Sequence, residues 1–414
     1  MSRRKQWQRR IFLLCWAAYA LAYFCRMNLA VALPAIGREI GANRATLGII
    51  GSSFFWSYAI GQLVNGYLGD RFSSRWFIGL GLLASALINL SFGFARSISL
   101  MALLWGMNGF FQSMLWGPIM KTLSVWLPDK PATRTAVQIT TSTIAGYYLA
   151  WGLSGYLVSR FSWAWAFWVP AGVVLAFGFC WLLLVRDTPA SASVEMPAMI
   201  EHEQHRVQAV SAPRGSLAQV AAQTGLWLLA LVCLAQGIIK EGINLWGPTM
   251  LAEISGPATA STVLSSLLIP TMNLAGIFLS GAVAQVFRGQ ERPAVASLLL
   301  ACSLGAAALA FAPSSLLLSA LLLGAVSCFV YGANTLLLTV IPLQYRRYGL
   351  TSTVAGGLDA AAYLGAAASG VLNGWLADGG GWGRAVLSWS AVGLAAALLL
   401  WCHQRQAEAG TNPD

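Results

Sequence analysis

Two stretches decide the fold: residues 11–34, IFLLCWAAYALAYFCRMNLAVALP, and residues 226–250, LWLLALVCLAQGIIKEGINLWGPTM. Each is long enough to cross a bilayer core, which takes about 20 helical residues. Each carries a cation deep in its apolar run, Arg26 in the first and Lys240 in the second, and each has a proline eight residues further on, Pro34 and Pro248. A charge near the bilayer centre costs roughly 3 kcal/mol even on lenient insertion scales, so such a group usually faces a cavity and has a task. Two cations at matching places imply a site for an anion, reached from water through the membrane.

Apolar runs recur along the whole chain. Twelve are legible, at about 11–33, 46–68, 76–95, 98–120, 136–158, 162–184, 224–250, 261–286, 294–312, 315–340, 350–376 and 383–402. Only 9% of the residues are charged and 57% are hydrophobic; soluble domains carry about 25% charged residues. The 42 glycines suit close helix packing in lipid. A net charge of +11 invites a nucleic-acid reading, but its distribution excludes one. With a cytoplasmic N-terminus, seventeen Lys and Arg residues, from Arg3, Arg4, Lys5, Arg9 and Arg10 to Arg405, fall on the cytoplasmic side. Only Arg38, Arg44, Arg96, Arg160 and Arg384 fall opposite. That is the positive-inside pattern, and an even number of spans places both termini in the cytoplasm.

The start of the chain resembles a signal peptide, with small residues at Ala30-Val31-Ala32. Arg26 interrupts the run and eleven spans follow, so an uncleaved first helix is expected. The seven cysteines have no C-x-x-C spacing and read as small packing residues.

The apolar pattern stops between residues 186 and 223, where Pro189, Pro197 and Pro213 lie among charged residues. The expected organisation is a first six-helix bundle, 1–185, a cytoplasmic linker, 186–223, and a second bundle, 224–414. His202 and His205 in the linker suit a solvated face better than a metal site. The halves echo each other. Tyr148-Leu149 and Ser154-Gly155-x-Leu157 recur as Tyr363-Leu364 and Ser369-Gly370-x-Leu372, offset by 215 residues, while Arg26 and Lys240 are offset by 214. A parallel duplication of six helices puts these pairs in corresponding spans. The fold class is therefore an all-α membrane protein of twelve transmembrane helices in two pseudo-symmetric bundles.

The loop after the second span reads Gly66-Tyr-Leu-Gly-Asp70-Arg71-Phe-Ser-Ser-Arg75. It resembles the major facilitator signature G-x-x-x-D-R-x-G-R-R, with Ser73 and Ser74 replacing Gly and Arg. Asp70 can pair with a cation or cap a neighbouring helix, so Asp70, Arg71 and Arg75 form a candidate gating latch; a generic topogenic loop is the alternative. The second-half counterpart, Gly281-x-x-x-Gln285-x-x-Arg288, is degraded. Within that superfamily the chain looks most like the organophosphate:phosphate antiporters. The resemblance rests on Tyr23-x-x-Arg26-x-Asn28-x-x-x-Ala32-x-Pro34, Trp163-x-Trp165-x-Phe167-x-x-Pro170, Arg186-Asp187-Thr188-Pro189, Tyr331-Gly332 and Asp359-x-x-x-Tyr363-Leu364-Gly365. Organic-anion/cation symporters share a similar first-helix pattern and the Trp56-Ser57-Tyr58 environment.

The resemblance implies that a cation in span 1 and another in span 7 bind a phosphoryl group. Arg26 matches the first of the family's two arginines, and Lys240 stands where the second would be. The lysine and histidine of the glycerophosphate branch fall at about Gln62 and Ser142 here. Arg offers a planar fork to two oxygens, whereas Lys is a point charge. A phosphate monoester carries about −1.5 to −2 charges at neutral pH, so Arg26 and Lys240 together nearly neutralise it. Two buried cations are costly to move without their anion, which gives obligatory exchange of an organic phosphate for inorganic phosphate a physical basis.

Glu241 sits about 100° round the helix from Lys240 and reads as a proton carrier or a counter-charge. Asp359 reads as a substrate contact, a proton carrier or an ion-pair partner. Tyr23, Asn28, Gln112, Tyr148, Asn244, Tyr331, Asn334 and Tyr363 are candidate hydrogen-bonding contacts, interhelical bonding being the alternative. Lys121 ends span 4 and reads as a snorkelling cation or an anion attractor. The expected protein is a monomeric secondary transporter of a small anionic metabolite in the lipid bilayer of a bacterial cytoplasmic (inner) membrane. Proton-coupled symport of a sugar acid and a transporter-like sensor of sugar phosphates are the rivals. No cofactor, metal or nucleic acid is expected, and no nucleophile–base spacing points to an enzyme.

Overall fold

In the computed structural model the described residues are 3–127, 132–194, 221, 224–255, 260–312, 315–345 and 351–409, and no strand occurs among them. The first half runs α1 (Arg3–Ile40), α2 (Arg44–Arg71), α3 (Ser74–Phe92), α4 (Ile98–Gln112), α5 (Trp116–Trp126), α6 (Ala132–Tyr147), α7 (Gly155–Arg160) and α8 (Trp165–Leu184). The second runs α9 (Leu226–Ser255), α10 (Ala260–Val286), α11 (Glu291–Ala310), α12 (Leu316–Thr335), α13 (Ile341–Gln344), α14 (Thr351–Gly380) and α15 (Trp382–Ala409). Wider π-helical turns, Tyr148–Ser154 and Leu336–Val340, join α6 to α7 and α12 to α13.

Ten helices among the described residues are long and apolar enough to cross a membrane. The described residues of the two remaining expected spans, 136–158 and 350–376, are helical too, over α6 to α7 and over α14. Their sequences explain why they fall short in apolarity: the first is rich in Thr and Ser, the second in Gly, Ala and Ser. Span 4 is broken, with Ser113–Leu115 separating α4 from α5. Pro118 lies in the first turn of α5, where its missing N–H costs nothing, whereas an unbroken helix would need it to donate to residue 114.

The chain divides into two compact units, Met1–Ile40 with Ser53–Ser211 and Gly41–Ser52 with Ala212–Asp414. In each, the first long helix packs on the fifth span and the third on the sixth: α1 on α6 and α3 on α8, then α9 on α14 and α11 on α15. The second packs on the fourth, α2 against α4 through Ser53 and Asn65, and α10 against α12. This recurrence is the structural form of the duplication. The first–fifth contact is close in both units. A Cβ on Gly146 would stand 2.6 Å from the Ala20 carbonyl oxygen, and one on Gly365 would stand 2.0 Å from that of Leu234. Only glycine permits such backbone approach, the usual means of joining helices in lipid.

The unit boundaries differ from the expected ones at two places. The start of the expected linker belongs to the first unit's packing: Ala192 and Val194 are buried in its core. Asp187 accepts from the Arg75 backbone N–H at 2.7 Å and from the Ser73 hydroxyl, capping α3. The rest of the linker, with His202 and His205, lies outside the described residues. The loop after α1 and the first turns of α2 belong with the second unit, because its acidic residues hold them. Glu253 grips the Arg44 guanidinium at 2.7 and 3.2 Å, and Asp378 accepts the backbone N–H groups of Arg44 and Ala45 at 3.1 and 2.9 Å. Asp378 thereby caps the α2 N-terminus, where a carboxylate also meets the favourable end of the helix dipole.

Candidate functional site

Arg26 is 6% exposed on α1, and its guanidinium lies among aromatic rings of the first unit. The Cζ atom is 4.8 Å from the ring centroids of Phe54 and Tyr58, 5.2 Å from Tyr23 and 5.7 Å from Phe55. Phe54 and Tyr58 are one turn apart on α2 and stack on each other, so they present one surface. Ring faces stabilise a desolvated cation, and a planar guanidinium suits them better than an ammonium. Tyr23 packs on Tyr147 at 5.6 Å. Tyr147, at the end of α6, is thereby joined to this cluster, and Tyr148 is 40% exposed at the start of the π-helical turn.

Behind Arg26 a ladder of buried amides holds the turn that carries it. In an α-helix the Arg26 N–H donates to the Ala22 carbonyl. Gln112 Nε2 donates to that same carbonyl at 3.0 Å. Asn89 and Asn108 donate to the Cys25 carbonyl at 3.2 and 2.9 Å, and Ser85 donates to Asn108 Oδ1 at 2.6 Å. Asn28 corrects the expectation of a substrate contact. It is fully buried, and its amide donates to Asn89 at 3.0 Å and to the Ala166 carbonyl at 2.9 Å. Two residues along a helix is about 200° of rotation, so Asn28 faces the bundle while Arg26 faces the rings.

The second unit's cation has different surroundings. Lys240 Nζ lies 3.1 Å from Glu241 Oε1, so the counter-charge reading of Glu241 has its geometry. Glu241 Oε2 accepts from Asn244 at 3.0 Å, and Asn244 also bonds the Tyr331 hydroxyl at 3.1 Å. Lys240 donates to Asn334 Oδ1 at 3.3 Å, as does Gln236 at 3.0 Å, and the ammonium is 5.9 Å from the Tyr331 ring centroid. Lys240, Glu241, Asn244, Tyr331 and Asn334 are therefore brought together, with Gln236 added. Asp359 and Tyr363 are half-buried on α14, which packs along α9.

The candidate latch is partly engaged in the first unit's own packing. Arg75 Nε donates to the Leu182 carbonyl at 2.6 Å, and Arg71 is exposed at the end of α2. The Asp70 side chain lies outside the described residues. Lys121 donates to the carbonyls of Gly69 and Phe72 at 3.0 and 3.4 Å, meeting the negative end of the α2 dipole.

Bundled helices of bilayer length, an internal duplication and a cation at matching places in the first helix of each half mark an integral membrane protein of the transporter class. The chain belongs to the Major Facilitator Superfamily, whose family model matches residues 15–335. It is 27% identical over 420 residues to a probable hexose phosphate transport protein of Chlamydia pneumoniae, covering 96% of this chain and 92% of that one. It is 26% identical to the membrane sensor protein UhpC of Escherichia coli (strain K12), covering 96% and 93%. Among solved structures it resembles a bacterial homologue of the human lysosomal transporter Spinster, with a TM-score of 0.76 at 13% identity, covering 96% of this chain and 97% of that one. Membership places the chain among membrane transporters and not among enzymes.

Proposed function

We propose that this protein is a secondary transporter that exchanges a phosphorylated metabolite for inorganic phosphate by alternating access. Arg26 is the first half's cation for an oxyanion, and Lys240 is its counterpart in the second. The observation that carries the reading is the buried guanidinium of Arg26 among four rings, at a position that the duplication matches with Lys240. Such a placement is expensive in a bilayer and is offset when an oxyanion binds. Tyr23, Asn244, Tyr331, Asp359 and Tyr363 supply contacts to the organic part. The similarity to a probable hexose phosphate transport protein supports a sugar phosphate as the substrate class. Placement in a bacterial inner membrane with both termini cytoplasmic, and a monomeric state, belong to the same proposal.

The full-length similarity to a membrane sensor favours one second reading, a receptor for sugar phosphates. The test is exchange of radiolabelled phosphate in proteoliposomes preloaded with phosphate, competed with a panel of phosphate esters and sugar acids. Exchange inhibited by a sugar phosphate supports the antiporter. Binding of that ester without flux moves the protein to the sensor reading. No phosphate exchange, with sugar-acid uptake rising at acid external pH, makes it a symporter working through Glu241 or Asp359.

A further inference from the structure

Glu39, near the end of α1, and Glu253, near the end of α9, are offset by 214 residues, as Arg26 and Lys240 are. Each accepts from the indole N–H of the tryptophan at the head of its half's sixth span, Trp163 at 2.6 Å and Trp382 at 2.8 Å. Each tryptophan has an arginine over its ring, Arg96 at 5.3 Å and Arg44 at 5.4 Å. That arginine also pairs with the glutamate, at 4.0 Å in the first case and 2.7 Å in the second. The two clasps are copies in chemistry but not in the origin of the cation. Arg96 belongs to the loop after α3, inside the first half. The matching stretch of the second half, residues 306–320, contains no Lys or Arg, and its clasp takes Arg44 from the start of α2 instead. Asp378 adds a second acid, 3.2 Å from the same guanidinium. The borrowed pair is also the drier one: Glu253 and Arg44 are 36% and 31% exposed, against 49% and 60% for Glu39 and Arg96.

Residues 41–52 pack with the second unit, whereas from Ser53 onward α2 packs in the first, where the Ser53 hydroxyl donates to the Ala102 carbonyl. The helix is continuous through this change. Its start lies against α14 with almost no side chain between them. A Cβ on Gly48 would stand 2.2 Å from the Gly370 carbonyl oxygen, and one on Gly374 would stand 2.4 Å from that of Arg44. So flat a contact has no interlocking side chains to hold it once the ion pairs part. The Ser52 hydroxyl is buried there and has no hydrogen-bond partner among the described residues; that penalty ends when water reaches it. We propose that the Arg44 clasp is a releasable strap. Made, as here, it holds the outer end of α2 on the second unit; its release accompanies opening of the outer side during exchange. The Glu39 clasp stays made throughout, because all of its members belong to the first half.

The inference rests on alternating access with both termini cytoplasmic, and it is tested by the reactivity of the joint itself. Ser52→Cys places a thiol in the joint, and a membrane-impermeant maleimide is added to spheroplasts of an expressing host. The parent protein with its native cysteines is the blank. Labelling of Ser52→Cys should be slow. Adding Arg44→Gln or Glu253→Gln should raise its rate roughly threefold to tenfold, the equivalent of one ion pair with its ring contact. Adding Glu39→Gln should leave the rate unchanged. Two variants on the borrowed clasp keep the test open if one of them does not fold. Fast labelling with the clasp intact overturns the inference, since the joint would not be closed, and this measurement needs no clasp variant. An unchanged rate in both Arg44→Gln and Glu253→Gln overturns it as well. So does an equal rise in Glu39→Gln, which would mark general loosening rather than release of a strap. The same pattern found only in inside-out vesicles overturns the outer placement. Phosphate exchange is measured separately in proteoliposomes; its absence removes the antiporter reading while the labelling pattern still decides the joint.

Discussion

Replacing Arg26 with Lys keeps the charge and removes the shape, so it separates what the guanidinium does from what a cation does. The Cζ atom sits 4.8 Å from two ring centroids and within 5.7 Å of two more. Desolvated cation–π contacts are worth up to about 2 kcal/mol, and an ammonium retains part of that; a net loss of about 1 kcal/mol is reasonable. The fork's second bond to an oxyanion is the larger item. A charge-assisted hydrogen bond contributes about 1.5–3 kcal/mol, and a single ammonium cannot reproduce the bidentate geometry. Together these come to about 3 kcal/mol, and with tenfold per 1.4 kcal/mol the initial rate at low substrate should fall about 100-fold. The assay is labelled phosphate exchange in proteoliposomes at matched protein content, with thermal unfolding in detergent as the control for folding. A rate within about threefold of wild type, from a variant of normal stability, would refute the assignment of Arg26 to the anion.

Gln112→Met removes the donor to the Ala22 carbonyl at similar volume. Interhelical hydrogen bonds of this kind average about 0.6 kcal/mol, so the stability loss should be small; its effect on exchange should be non-additive with Arg26→Lys, and strict additivity in the double mutant would count against a positioning role. Asp378→Ala removes the cap of α2 and should cost about 1 kcal/mol, read as a lower unfolding temperature in detergent. Arg44→Gln should cost less than about 1 kcal/mol, since its bond to Glu253 is about one-third exposed, and the cost should shrink in high salt. Gly365→Leu has no space beside the Leu234 carbonyl and should abolish accumulation of folded protein, while Gly357→Ala, with nothing within 4 Å, should be tolerated.

The bilayer makes some of this molecule legible from its sequence and hides the rest. Length and apolarity are demanded of every spanning helix, so the runs around Arg26 and Lys240, and the pairing of halves, could be read without coordinates. The two helical stretches that fall short in apolarity, α6 to α7 and α14, are legible from run length, and their Tyr-Leu and Ser-Gly repeat marks them as counterparts. What sequence does not carry is rotation about each helix axis. Tyr147 and Tyr148 differ by about 100°, and a π-helical turn beginning at Tyr148 changes the phase beyond it. Asn28 is the opposite case: its distance of two residues from Arg26 already implied another face. Phe54 and Tyr58 also carried a signal, an aromatic pair at helical spacing, but nothing local says which cation they enclose.

The duplication preserved positions and let the chemistry diverge, and this asymmetry bears on function. In the first half a delocalised cation rests against ring faces, with amides gripping the backbone behind it. In the second a compact ammonium is held by a carboxylate and by Asn334. The first half sets its cation among ring faces. The second supplies one whose charge is already balanced, together with amides and a phenol suited to hydroxyl groups. Amides and a phenol suit hydroxyl groups, which a sugar phosphate carries and a simple dicarboxylate lacks.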